Sequence, residues 1–362
     1  MSRALLKKVE VGVGLRLSSV LEKTKAVYGE WVLINKLGIT CQGVFSRIQV
    51  SLPESVVPED FEVLVQEKSL KDLLEDLGDA FEVEQTRTKN VVRSGGFTAK
   101  LLSLSPEQFP PDVEDADLQN VEMLLKNLRS AFQAVDIAVA SEVGRNSEEV
   151  FRGLTLRSRE AGLYAIGAQP TLVARARVGD GIAGLDVTMP REIGSIIDHI
   201  PGDVLRLSWS KTDLLLTSPT TRVRIRRLAG SLPNTDPVFG RETIGRVVVA
   251  RELLRGAIRR TSVTKEKHQK FVNVHFEPEA LTIKSRSPET GFSEEKIPVT
   301  SSAPAITLGV NLDQVQDILR KMGGDDVALE VGKDGDFVAI RTPDADFMSR
   351  AATPDKEYEE HE

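Results

Sequence analysis

The sequence predicts an α+β chain made of three tandem copies of one domain, each with two helices packed on antiparallel sheets. The first observation behind this is a motif that occurs three times: Leu73-Leu74-Glu75-Asp76-Leu77-Gly78-Asp79, Ile196-Ile197-Asp198-His199-Ile200-Pro201-Gly202-Asp203 and Ile318-Leu319-Arg320-Lys321-Met322-Gly323-Gly324-Asp325. Each is a helix-like apolar face that runs into Gly-Asp and then into a strand-like run. Gly78 and Gly202 are 124 residues apart and Gly202 and Gly324 are 122 apart, the length of a whole domain rather than of a solenoid repeat. The second observation is that each copy opens on an amphipathic helical pattern, at Leu15 to Tyr28, Val121 to Val135 and Val249 to Val263. A third echo links Phe109-Pro110 with Leu232-Pro233, 123 residues on.

Taken in order, each copy reads strand, helix, several strands, helix, several strands. In the second opening helix Leu124, Leu128, Ala131 and Val135 recur at spacings of four and three, which sets them on one helical face. The strand-like runs are short, β-branched and bounded by Gly, Pro, Asn or Asp: Trp31 to Thr40, Phe45 to Leu52, Phe151 to Leu156, Leu185 to Met189, Val204 to Trp209, Val272 to Phe276, Leu281 to Lys284 and Val327 to Val331. Linkers fit the Pro- and Asp-rich stretch from Pro110 to Asp117 and the stretch from Ser231 to Arg241. The expected domains are therefore 1–114, 115–240 and 241–352, followed by an acidic tail, 353–362, expected to be disordered.

Composition bounds the class without choosing a function. With 362 residues, 40% hydrophobic and 28% charged, the chain can bury ordinary cores in two or three domains. A single cysteine, Cys41, excludes an internal disulfide framework and fits a reducing compartment. Met1 to Lys8 lacks the apolar run of a signal peptide, and no window approaches the roughly 18 to 20 apolar residues that span a bilayer. The expectation is a cytoplasmic protein without a membrane partner.

Charge is distributed in a telling way. The net charge of −7 argues against a generally sticky nucleic-acid binder. Yet cations line one side of the opening helix of every copy: Arg16 and Lys23; Lys126 and Arg129, with Gln133 one turn on; Arg251, Arg255 and Arg259. On one helix such a stripe is ordinarily a solvated face. Repeated at the same place three times, it favours a surface that attracts a polyanion through its phosphates.

Several segments then resemble the bacterial sliding clamp, the beta subunit of DNA polymerase III. They are Val92-Arg93-Ser94-Gly95 leading to Ser103-Leu104-Ser105-Pro106-Glu107-Gln108-Phe109-Pro110, Phe151-Arg152-Gly153-Leu154, Val187-Thr188-Met189-Pro190-Arg191, Gly230-Ser231-Leu232-Pro233 and Leu308-Gly309-Val310-Asn311. Their order and spacing carry the resemblance, which covers essentially the whole chain. It implies a head-to-tail homodimer whose six clamp domains form a ring around double-stranded DNA, held without sequence specificity. Such a ring is a non-catalytic, cytoplasmic and nucleoid-associated processivity factor, and DNA polymerase and the clamp loader dock on it through short peptides. By the resemblance Arg16, Lys23, Lys25, Lys126, Arg129, Arg191, Arg255, Arg259 and Arg260 face DNA. Phe151, Ala168, Leu172, Val173, Pro233, Val238 and Met348 form the peptide pocket, and Leu101, Leu104, Phe109 and Val263 lie at the dimer contact.

The chain departs from the family at the pocket. Gly167-Ala168-Gln169-Pro170-Thr171-Leu172-Val173 stands where the family has Ala-Thr-Asp-Gly-His-Arg-Leu, and Phe347-Met348-Ser349-Arg350-Ala351-Ala352 stands where it ends Met-Pro-Met-Arg-Leu. A divergent member is implied, with partners that use a different peptide. No cofactor, metal or catalytic pattern is present: His199, His268, His275 and His361 lack ligand spacing, and the glycines at 12 and 14 and at 179, 181 and 184 form no phosphate-binding fingerprint. Arg222, Arg224 and Arg226 mark one strand face, with a phosphate contact as the other reading. The competing hypothesis is a clamp-fold interaction scaffold that does not close on DNA, and it predicts a monomer.

Overall fold

A computed structural model of the chain describes residues 2–86, 89–113, 118–140, 149–266 and 268–355. His361, the tail beyond Asp355 and the linker residues 114–117 lie outside the described residues.

The first repeat comprises β1 (Arg3–Lys7), α1 (Lys8–Ser19), β2 (Trp31–Asn35), β3 (Gly38–Gln42), β4 (Ser46–Val50), β5 (Glu62–Gln66), α2 (Glu67–Leu74), β6 (Ala80–Gln85), β7 (Lys89–Ser94) and β8 (Phe97–Leu102). The second comprises β9 (Gln119–Leu124), α3 (Leu125–Val135), β10 (Gly153–Arg159), β11 (Gly162–Gln169), β12 (Leu172–Gly179), β13 (Asp186–Pro190), α4 (Glu192–His199), β14 (Val204–Trp209), β15 (Asp213–Thr217) and β16 (Thr221–Arg226). A short helix α5 (Asp236–Phe239) precedes the third: β17 (Thr243–Ala250), α6 (Arg251–Thr261), β18 (Val272–Phe276), β19 (Ala280–Ser287), β20 (Gly291–Pro298), β21 (Thr300–Ser301), β22 (Ile306–Val310), α7 (Leu312–Lys321), β23 (Asp326–Gly332), β24 (Phe337–Arg341) and β25 (Asp346–Arg350). The fold is the expected α+β repeat of two helices on antiparallel sheets, used three times.

The repeated Gly-Asp step is a structural joint. After each second helix the chain turns, with positive φ at Gly202 and Gly324 (102° and 92°), a conformation that favours glycine. The carbonyl of the following aspartate then accepts the first backbone N–H of the opening helix: Lys8 to Asp79 at 2.9 Å, Leu125 to Asp203 at 2.8 Å and Arg251 to Asp325 at 2.7 Å. An otherwise orphaned helix donor is satisfied at the same place in every repeat. A cation of the opening helix closes the other end of the joint. Lys8 Nζ reaches the carbonyls of Glu75 (3.0 Å) and Leu77 (2.9 Å), Arg129 those of Ile197 (3.0 Å) and Ile200, and Arg251 that of Met322. Each places positive charge at the C-terminal end of a helix, where the macrodipole favours it.

The chain divides into two compact units. Unit 1, residues 1–129 and 189–228, holds a sheet in the order β1-β6-β7-β8 and an eight-stranded sheet, β5-β2-β3-β4-β16-β15-β14-β9. In it α1 packs on β3 and β4 and touches α2 and α4. A Cβ at Gly14 would lie 3.1 Å from the Ile39 side chain, so this glycine lets α1 settle closely on β3. Unit 2, residues 130–188 and 229–362, holds a nine-stranded sheet, β13-β10-β11-β12-β25-β24-β23-β17-β21, and a sheet in the order β20-β19-β18-β22, with α6 against β19, β20 and α7. Buried Leu254, Ile258, Val315, Ile318 and Leu319 form the apolar faces of α6 and α7. Among the described residues no helix is long and apolar enough to cross a membrane.

Two helix positions differ from the sequence expectation. The first opening helix is Lys8–Ser19, not Leu15 to Tyr28, because Val9, Val11 and Val13 alternate as a strand would and Gly12 and Gly14 weaken helix propensity. Tertiary packing on β3 overrides both signals. In the second repeat Val121 to Leu124 belong to β9, and the helix starts at Leu125.

Within unit 1, Glu192 at the start of α4 accepts hydrogen bonds from the Ser46 hydroxyl and, at 2.6 Å, from the Glu22 backbone N–H. Burial pushes its carboxyl above the ordinary glutamate range. The folded chain thus holds this proton more tightly than the unfolded one, so the associated stability is present below the ordinary range and is lost as pH rises through the folded value. Glu192→Gln is expected to flatten that decline in urea midpoints as pH rises above the ordinary glutamate range; an unchanged slope would show that Glu192 does not contribute to it.

Candidate functional site

The cations singled out from the sequence fall into two groups. Arg16 in the last turn of α1, Lys25 beyond α1, Lys126 in the first turn of α3 and Arg259 in α6 are exposed. The others are engaged within the chain. Lys23, which lies past the end of α1, pairs with Glu67 at 2.5 Å and donates to Ser18 at 2.9 Å. Arg255 pairs with Glu252 at 2.8 Å, and Arg260 grips Glu295 through Nε at 2.8 Å and through Nη2. These arginine hydrogen bonds hold both carboxyls below the usual glutamate range. Arg129 caps α4, and Arg191 is the exposed residue just before α4. The strand arginines secure the first linker: Arg222 pairs with Asp112 at 2.8 Å, Arg224 donates to the Val113 carbonyl, and Arg47 donates to the Pro110 carbonyl at 2.7 Å.

Strand pairing follows one rule inside each unit. The last strand of a repeat joins the third strand after the opening helix of the repeat before it. Unit 1 joins β16 to β4, with Val223 opposite Ile48. Unit 2 joins β25 to β12, with Phe347 opposite Ala174. The remaining members of this series, β8 and β20, end their sheets. They are largely exposed and carry Phe97, Leu102 and Phe292, 46%, 70% and 54% exposed. Large apolar side chains on an open edge are what a pairing surface presents. Leu101 is half-buried on β8, and Val263 is 72% exposed in the turn after α6. Leu104 and Phe109 lie elsewhere: both pack with Leu33 and Leu64 in a cluster of unit 1, where Tyr28 meets the Phe109 ring edge-on.

Unit 2 contains an apolar hollow. Leu172, Val173, Val238 and Met348 line a cavity of about 1200 Å³ together with Phe271 and Phe337. Phe337 and Met348 of its lining belong to a buried cluster with Phe239 and Ala339, against which Val173 and Val238 pack. Val173 also belongs to a neighbouring cluster with Ile166, Ala168, Leu232 and Phe151. Pro233 is exposed, and its carbonyl accepts from Arg157 at 3.0 Å. Arginines flank the hollow: Arg241 lies 4.4 Å over Phe337 and pairs with Asp336 at 2.8 Å, and Arg175 lies 4.3 Å over Phe239 and pairs with Asp346 at 3.0 Å.

Arg157, Arg175, Arg241, Phe239 and Phe337 were not singled out from the sequence. The one available signal was an arginine, Arg157, directly after the alternating Leu154 and Leu156 of β10. Arg157 is only 2% exposed and spans three acceptors, Asp186 at 3.0 Å and the carbonyls of Leu232 and Pro233. It fixes the segment that brings Val238 to the hollow. Cys41 is buried and its thiol is pushed up to about 12 by burial, so it is not a reactive thiol in the folded chain.

Residues 237–354 match the family model for the DNA polymerase III beta subunit, C-terminal domain. A beta sliding clamp from Chlamydia muridarum (strain MoPn / Nigg) is 22% identical over 236 residues, and the alignment spans 63% of this chain and 63% of that relative's length. Among solved structures, the DNA polymerase III beta subunit of Thermotoga maritima superposes with a TM-score of 0.88 at 14% identity, over 98% of this chain and all of that one. The DNA polymerase III subunit beta of Pseudomonas aeruginosa gives 0.87 at 18% identity, over 97% and 100%. The whole chain therefore has the fold of the bacterial DNA polymerase III beta subunits, and its residues 237–354 match that family's C-terminal domain in sequence.

Proposed function

We propose that this chain is a sliding clamp: two copies close head to tail into a six-domain ring around duplex DNA and tether a polymerase and other partners through short peptides. The observation that carries this reading is the pair of open edges. Ala99, Val223 and Phe347 hold the same place in their hairpins, opposite Val92, Leu216 and Ile340. Ile48, Ala174 and Ser293 likewise face Cys41, Gly167 and Ser285. By the rule of the two internal junctions, β8 of one copy pairs with β20 of another, with Ala99 opposite Ser293, Thr98 opposite Glu294 and Lys100 opposite Phe292. One junction of this kind at each end closes a ring by two-fold symmetry and leaves neither edge exposed.

The proposed domains are 1–114, 115–240 and 241–352, and the activity is non-catalytic, carried out on DNA in the cytoplasm. Arg16, Lys25, Lys126 and Arg259 are the cations free to face phosphates. The proposed peptide site is the hollow of Leu172, Val173, Val238 and Met348, with Phe151, Ala168 and Pro233 beside it. Two tests separate assembly from DNA contact. Cysteines replacing Ala99 and Ser293 in a Cys41→Ser background are expected to oxidise to a covalent dimer; a chain that stays monomeric would sink the ring. Binding to a short linear duplex is expected to be weak. With eight such cations per dimer, the slope of log K against log salt is expected to be no steeper than about −7; a steeper slope would mean that the internally paired cations also release counterions.

A further inference from the structure

Beside the apolar hollow in unit 2 lies a second cavity, of about 470 Å³, whose wall includes Arg157, Arg159, Arg175, Tyr164, Ile166 and Thr235. Nothing in the peptide-docking reading uses it. It is joined to the hollow through shared neighbours, since Arg175 lies over both Tyr164 (5.6 Å) and Phe239 (4.3 Å), and Phe239 packs with Phe337 and Met348, which line the hollow. Val173 and Arg175 alternate on β12, so they share one face of the strand. The step from Val173 in the hollow to Arg175 at the second cavity is therefore roughly 7 Å, two residues of an extended chain.

The chemistry of this cavity differs from that of the hollow. Three guanidiniums and two carboxylates, Glu160 and Asp236, line it; Arg157 is taken up by Asp186 and two carbonyls, which leaves Arg159 and Arg175 as its cations, on a molecule whose net charge is −7. Arg159 pairs with Asp236 at 2.5 Å and also reaches the Ser158 carbonyl and Asn234, and at 35% exposure it keeps N–H groups open to solvent. Arg175 pairs with Asp346, which lies outside the wall, and is 30% exposed. The Thr235 hydroxyl supplies an independent sign. Thr235 is 6% exposed, its Oγ1 has no hydrogen-bond partner, and it lines the cavity. A buried hydroxyl without a partner is costly, and an incoming oxyanion would satisfy it.

We infer that this cavity is an acid-reading subsite: it takes the carboxylate of an Asp or Glu located two residues from the apolar residue that fills the hollow. The partner is thus an acidic, extended peptide, recognised by charge-assisted bonds from Arg159 and the Thr235 hydroxyl beside an apolar anchor. This rests on the docking reading of the hollow.

The test is selection from a random linear octapeptide library on the immobilised full chain, in wild type, Arg159→Gln and Thr235→Val, each first shown to melt like wild type. Wild type is expected to enrich peptides with a bulky apolar residue and an Asp or Glu two positions away. Both variants are expected to keep the apolar enrichment and lose the acidic one, and Asp→Asn in the best synthetic peptide is expected to weaken wild-type binding about tenfold. Apolar selection without an acid at fixed spacing, or an acidic bias that survives both substitutions, would overturn the inference alone. No apolar selection at all would overturn the docking reading and this inference with it.

Discussion

Proline in place of Lys100 is expected to convert a dimer of twice 39.7 kDa into a monomer while leaving each chain folded. At the internal junction between β16 and β4, Ser51 N–H bonds to the Thr220 carbonyl and Arg226 N–H to the Phe45 carbonyl. In an antiparallel ladder bonded pairs alternate, so Arg222 and Arg224 direct their N–H groups at the neighbouring repeat. Thr98 and Lys100 hold the equivalent places on β8, so their N–H groups point outward, away from β7. Proline at 100 removes an outward donor and puts a ring in the path of the second copy, with no bond lost inside the chain. Lys100→Ala is the control and keeps the dimer. Light scattering reads the outcome: a dimeric Lys100→Pro chain with native circular dichroism would mean that the subunits meet elsewhere.

Arg157→Ala is expected to destabilise the folded chain strongly, by about 3 kcal/mol. It leaves the Leu232 and Pro233 carbonyls without their donor at a site where the side chain is 2% exposed. Asp186 is 42% exposed and can be rehydrated, which keeps the loss from being larger. Because Arg157 tethers the segment ahead of α5, the substitution is also expected to abolish peptide selection by the hollow. Arg157→Lys does not rescue it, since one ammonium cannot reproduce a planar fork across three acceptors. Urea unfolding checks the first claim, and a midpoint within experimental scatter of wild type would refute it.

The repeat was legible because its punctuation is local. Gly-Asp after an apolar helical face marks a joint that the chain must make within a few residues, and the Asp79, Asp203 and Asp325 carbonyls all perform the same task. The first helix was misplaced because Val9, Val11, Val13 and two glycines give local signals that only packing against Ile39 overrides. The cation stripes were visible, but not which cations are spoken for. Glu67 and Glu295 lie 44 and 35 residues from Lys23 and Arg260, and Arg129 is drawn to carbonyls of α4 that sequence spacing cannot reveal. The hollow divides in the same way. Val173, Val238 and Met348 followed from resemblance, whereas Phe239, Phe337 and Arg175 depend on the register between β12, β25 and β24. Leu104 and Phe109, which the resemblance placed at a subunit contact, pack with Leu33, Leu64 and Tyr28 of their own unit, Phe109 buried and Leu104 partly so.

A closed ring would be held on DNA by topology, and retention on circular against linear DNA tests this most directly. The chain is incubated with nicked circular duplex, with a compatible loader or at high protein concentration, and then passed over a sizing column before and after a single cut in the DNA. A sliding clamp is expected to stay on the circle through high salt and to run off once ends are made. Equal loss from circles and linear molecules, or a chain that remains a 39.7 kDa monomer, would contradict the ring and leave an interaction scaffold with a clamp fold.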